Sequence, residues 1–155
     1  MDSTFEKIVI GCDHTAISTK KELIEFISEQ GIEVLDMGNS MDADGVYFCD
    51  IAERVALQVS NHSEYGGILI CGNGVGMAIA ANKIPGVRAC VCNELYTVQY
   101  AKRDIHLNVL CMGVRIISPH LMKEIVKVWM EQKKGSGRFQ ERVNRLTEME
   151  QKYLK

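Results

Sequence analysis

Five short apolar, β-branched runs punctuate the chain: KIVIGC (7–12), IEVLDMG (32–38), GGILICG (66–72), VRACVC (87–92) and NVLCMG (108–113). Helix-like segments separate them, and continuous apolar runs of this length read as strands buried on both faces. Strands joined through helices run parallel, so the rhythm confines the chain to βαβ units with helices covering a parallel sheet.

The intervening segments support that frame. In STKKELIEFISEQG (18–31), Leu23, Ile24 and Ile27 share one face, and Gly31 is placed to end a helix. A second amphipathic helix is expected from Asp50 to about Val59. In SPHLMKEIVKVWMEQ (118–132), Ser118 is a natural N-cap and Pro119 a natural first helical residue. After KKGSGR (133–138) the pattern changes: Phe139, Val143, Leu146, Met149 and Tyr153 form a narrow apolar stripe on a strongly charged helix over 139–153. The sheet already has its helices by then, so this last one is expected to pack on a partner subunit, the alternative being its own domain.

At 155 residues the chain is expected to be a single domain, residues 1–155. A net charge of -2 with 25% charged residues gives no electrostatic case for nucleic acid or an anionic membrane as partner. MDSTFEK is charged and lacks the apolar core of a signal peptide, so a cytoplasmic location is expected. No two of the six cysteines have the CxxC spacing of a zinc or redox site; most sit in apolar runs and read as reduced, buried thiols.

Ligands of open parallel sheets bind beyond the carboxyl ends of the strands. Cys12, Asp13 and His14 follow the first run, Cys71 and GNGVG the third, and Met112 to Arg115 the fifth. GNGVG leading into MAIAANK reads as a strand, a glycine loop and a helix start. Such a loop either cradles an anion on its amides or makes a tight turn that needs glycine for backbone reasons alone. Met77 stands where a dinucleotide fingerprint needs its third glycine, and no GK[ST] follows, so neither that fingerprint nor a P-loop is present. Cys71 at the mouth of the loop suits nucleophilic attack or proton abstraction from carbon, or is a buried strand-end thiol. Arg115, Arg138 and Arg142 are candidates for a phosphate clamp, the last two being four apart on one helix face.

Together, IVIGCDH (8–14), GGILICGNGVGMAIAANKIPGVRA (66–89), NVLCMGVR (108–115) and GSGRFQERV (135–143) closely resemble the type B ribose-5-phosphate isomerases, the RpiB/LacAB family of phosphosugar isomerases. The resemblance implies a Rossmann-like α/β/α sandwich with a five-stranded parallel sheet. It also implies catalysis without metal or nucleotide cofactor, and homodimers or homotetramers with active sites shared between subunits. On this resemblance Cys71 is the base moving a proton between C1 and C2 of an open-chain sugar phosphate. The amides of Gly72, Asn73, Gly74, Val75 and Gly76 stabilise the enediolate, Asp13 contacts sugar hydroxyls, and His14, Arg115, Arg138 and Arg142 bind phosphate. Ribose 5-phosphate and ribulose 5-phosphate are the default pair.

Several positions depart from the family pattern. Where the family has HND before NVL, this chain has DIHL, so Asp104 stands at the place of the ring-opening histidine and His106 two residues later. Either takes over that role, or ring opening is not needed, as for a four-carbon substrate such as erythrose or erythrulose 4-phosphate. YFCDIA (47–52) replaces DYPxYA, keeping an aromatic at Phe48 without its hydroxyl, and Phe139 replaces a common histidine. A six-carbon sugar phosphate, or a weakly catalytic subunit of a hetero-oligomeric isomerase, are the other readings the departures leave open.

Overall fold

The computed structural model describes residues 3–154, so both ends of the expected domain fall outside the described residues. In chain order the elements are β1 (Lys7–Cys12), α1 (Ile17–Glu29), β2 (Glu33–Asn39), α2 (Phe48–Asn61), β3 (Tyr65–Cys71), α3 (Val75–Ala81), β4 (Ala89–Val91), α4 (Leu95–Ile105), β5 (Val109–Gly113), α5 (Pro119–Glu131) and α6 (Arg138–Tyr153). The five expected strands are all present, and all pair in parallel in the order β2-β1-β3-β5-β4.

Alternation along the strands sorts the core into two layers. Ile8, Ile10, Ile68, Ile70, Leu110 and Met112 pack with Leu23 and Ile27 of α1, Val98 of α4 and Trp129 of α5. Val9, Leu69, Cys71, Val109 and Cys111 point to the other face, against Ile51 and Val55 of α2 and Met77 of α3. A side-chain period of two within each strand produces this split, and it puts Cys71 on the α2–α3 side of the sheet.

Local chemistry sets the helix starts. Ser118 Oγ accepts from the Leu121 amide at 3.2 Å with Pro119 in the first turn, as the sequence predicts. Glu94 caps α4 by accepting from the amides of Tyr96 (2.6 Å) and Thr97 (2.8 Å). The second helix begins two residues earlier than expected because Asp50 accepts from the Tyr47 amide at 2.7 Å and closes the first turn there. At the edge of the sheet β4 is shorter than its apolar run, since the Arg88 amide leaves the ladder for Asn108 Oδ1 at 2.7 Å.

The last helix folds back on its own chain, the alternative to a partner subunit that its sequence leaves open. It packs on α4, and Glu150 accepts from the Gly86 amide at 2.8 Å. Of its apolar stripe only Val143 is buried, while Leu146, Met149 and Tyr153 stay exposed. Among the described residues no helix is long and apolar enough to cross a membrane.

Candidate active site

The chain leaves β1 toward β2 on one side and leaves β3 toward β4 on the other, so the carboxyl ends of β1 and β3 flank the switch point of the sheet. A cleft of about 510 Å³ opens there, lined by Asp13, His14, Phe48, Cys71, Asn73 and Arg115 among others. Three backbone links hold its walls together: Asp13 N–H to Ile70 O (3.0 Å), Val114 N–H to Cys71 O (2.9 Å) and Arg115 N–H to Gly72 O (3.0 Å).

Cys71 ends β3 and is 8% exposed at the floor of the cleft. The Gly74 amide donates to its sulfur at 3.0 Å. That geometry requires Gly74 to adopt φ +81°, and a Cβ there would press on the Met112 backbone at 3.1 Å. Gly113 has no room for a side chain either: a Cβ would stand 2.4 Å from Asn73 Cα, so the end of β5 is what the glycine loop rests on.

The loop's amides do not all point outward. Gly74 donates to Cys71 Sγ, and the Val75 amide donates to Asn73 Oδ1 at 3.0 Å. Gly72, Asn73 and Gly76 of the expected set line the cleft. The Phe48 ring lies over Gly76, where a Cβ would meet it at 3.0 Å, and forms an apolar wall. Asp13 Oδ1 accepts from Thr15 N–H (2.9 Å) and Thr15 Oγ (2.6 Å), which holds the carboxylate at the rim beside the exposed His14. The Arg115 guanidinium lies along Gly72, its Nη1 3.5 Å from where a Cβ would stand. Thr15 and Ile116 also line the cleft; sequence reasoning passed over both, although Thr15 two residues after an aspartate is the spacing of an Asx turn.

The remaining candidates lie elsewhere. α4 runs back from the carboxyl end of β4 to the amino end of β5, so Asp104 and His106 sit at the opposite end of the sheet from Cys71. His106 is 5% exposed, its Nε2 donating to Gly135 O at 2.8 Å, and burial holds its pKa below the ordinary imidazole value. Asp104 is more open and pairs with Arg103 at 2.6 Å. Arg138 and Arg142 join this second group at the start of α6, where the Cζ atoms of Arg103, Arg138 and Arg142 lie 4.9, 5.0 and 5.3 Å from the centre of the Phe139 ring. One chain therefore carries a thiol cleft at one end of its sheet and a guanidinium cluster at the other.

The profile of the Ribose/Galactose Isomerase family matches residues 8–146. This chain belongs to that family. It is 41% identical over 147 residues to the ribose-5-phosphate isomerase B of Escherichia coli, covering 95% of this chain and 98% of the relative. The D-erythrulose-4-phosphate isomerase of Pectobacterium atrosepticum is 34% identical over 80% of this chain and 82% of its own length. Among solved structures, the ribose-5-phosphate isomerase B of Mycoplasma genitalium with bound ribulose-5-phosphate superposes with a TM-score of 0.88 at 34% identity, covering 94% of this chain and 96% of that one. The α/β sandwich with a parallel five-stranded sheet is thus the fold of this isomerase family in full.

Proposed function

We propose that the chain is an aldose–ketose isomerase of a phosphorylated sugar, with ribose 5-phosphate and ribulose 5-phosphate as its pair. The observation that carries this reading is Cys71 Sγ on the floor of the switch-point cleft, accepting the Gly74 amide at 3.0 Å. The Cys71 thiolate takes the C2 proton of the open-chain aldose. The electron pair moves into a C1–C2 double bond and O1 becomes the enediolate oxygen, held by the amides of Gly72, Asn73 and Gly76, the loop residues that line the cleft. The thiol then returns the proton to C1 while the O2 proton is lost and O1 gains one, so the atoms of substrate and product balance. Asp13 is placed at the rim to hold sugar hydroxyls, and His14 and Arg115 to draw the anion in.

Arg138 and Arg142 complete the phosphate clamp from a second copy of the chain, because within one chain they stand at the far end of the sheet from Cys71. The exposed Leu146, Met149 and Tyr153 supply apolar surface for that association. A homo-oligomer with shared sites is the assembly this division calls for.

A second reading has its own support. Asp104, already paired with Arg103, stands at the ring-opening position, and His106 is buried against Gly135. That arrangement suits a substrate with no furanose to open, such as a four-carbon aldose or ketose phosphate. A steady-state panel of four-, five- and six-carbon aldose and ketose phosphates tests both: highest kcat/KM on ribose 5-phosphate supports the first, preference for the four-carbon pair the second. Absence of turnover on any would overturn both.

A further inference from the structure

The guanidinium cluster contains an organising element that the isomerase reading does not require. Arg103, Arg138 and Arg142 all lie within cation–π reach of one ring, Phe139, at 4.9–5.3 Å from its centre. Of these three arginines only Arg103 has a carboxylate partner among the described residues, Asp104; neither Arg138 nor Arg142 forms a salt bridge there. Two like charges one helical turn apart repel and would splay into solvent unless something polarised the other way stood between them. The negative face of an aromatic ring does this without neutralising the charge that an anion needs.

The ring itself is fixed. Phe139 lies on Gly135, where a Cβ would strike its Cδ2 at 2.5 Å. Gly135 is tied to the end of α4 through its amide to Arg103 O (2.9 Å) and its carbonyl to His106 Nε2 (2.8 Å). Buried His106 thus holds the seat of the ring, which gives this histidine a structural place in the same assembly. Arg103 is further held over the Tyr100 ring at 4.4 Å.

We infer that Phe139 is a positioning residue, gathering Arg138 and Arg142 with Arg103 into a preorganised clamp for a phosphate dianion. The inference rests on the clamp proposed above and adds what shapes it. Phe139→Met keeps apolar volume and removes the ring; Phe139→Tyr keeps the ring.

The test measures inorganic phosphate binding by calorimetry, together with kcat and KM on ribose 5-phosphate, for the wild type, both Phe139 variants and Arg142→Ala. Phe139→Met is expected to weaken phosphate binding and raise KM by about tenfold with kcat held within about threefold, and Phe139→Tyr to restore both. Unchanged phosphate binding and KM in Phe139→Met, with both impaired in Arg142→Ala, would overturn the role of the ring and leave the clamp standing. Arg142→Ala without effect on either would overturn the clamp, and the ring's role with it. A thermal melt of each variant separates loss of fold from loss of site, and Phe139→Leu replaces Phe139→Met should the latter not fold.

Discussion

The Gly74 amide and the Cys71 sulfur are 3.0 Å apart, joined by a hydrogen bond that spans only three residues. The left-handed backbone at Gly74 makes this contact, and so ties the position of the sulfur to the shape of the loop. Cys71→Ala is expected to lower kcat by about 10²-fold or more, with KM little changed, as loss of a general base does. Solvent deuterium incorporation at the substrate carbon should fall with it; exchange at the wild-type rate would remove Cys71 from the base role.

Gly74→Ala tests the loop rather than the thiol. A Cβ at φ +81° against the Met112 backbone costs about 1–2 kcal/mol of stability and turns the amide from the sulfur. Both Tm and kcat should drop, while Val75→Ala, at an exposed position, leaves each near wild type.

The proposed division of the site between chains predicts complementation. Cys71→Ala and Arg142→Ala proteins, each nearly inactive alone, should regain activity when unfolded together and refolded as a mixture. Random pairing in a dimer leaves one intact site in each mixed dimer, or about a quarter of wild-type activity. A mixture no more active than its components would place both residues in a site made by one chain.

Asp104→Asn separates the two substrate readings. If Asp104 assists ring opening, the variant loses activity on ribose 5-phosphate by about 10²-fold while a four-carbon substrate, which has no furanose, is turned over as before. Equal losses on both substrates would assign Asp104 to binding through its pair with Arg103.

Lys102 makes the protein's stability depend on pH. Its Nζ is buried with no hydrogen-bond partner among the described residues, 3.3 Å from the centre of the Phe5 ring, and burial pulls its pKa from 10.5 down to about 6. Between those values the unfolded chain binds a proton that the folded one does not, so stability rises with pH through that window and the penalty is complete below about pH 6. Burial of His106 acts in the same direction below its ordinary 6.5. Lys102→Met is expected to add about 1–3 kcal/mol at neutral pH and to flatten the dependence. Urea midpoints measured from pH 6 to 9 would show it; parallel curves for both proteins would assign Lys102 another state.

Five strands, their parallel pairing and the helices between them were legible from the chain alone, since a buried parallel strand must be apolar on both sides and its crossover helix amphipathic. Cys71, Asp13, His14 and Arg115 were also within reach, because residues just past strand ends share one edge of a parallel sheet whatever the sequence distance between them. The extent of β4 was not, since it depends on Asn108 taking the Arg88 amide out of the ladder. Nor was the fate of His106: the sequence places it two residues from a family position, and only packing decides that its ring turns inward to Gly135.

Periodicity and strand-end chemistry are local properties, so the sequence by itself determined the fold class, the cleft's principal residues and the family. Tertiary structure alone decided that two of the loop amides serve the loop itself, that three arginines from two helices converge on one ring, and that this cluster stands at the end of the sheet away from Cys71. The physical reason is that each depends on where α4 and α6 come to rest against one another, a contact between segments about 35 residues apart that no local pattern encodes.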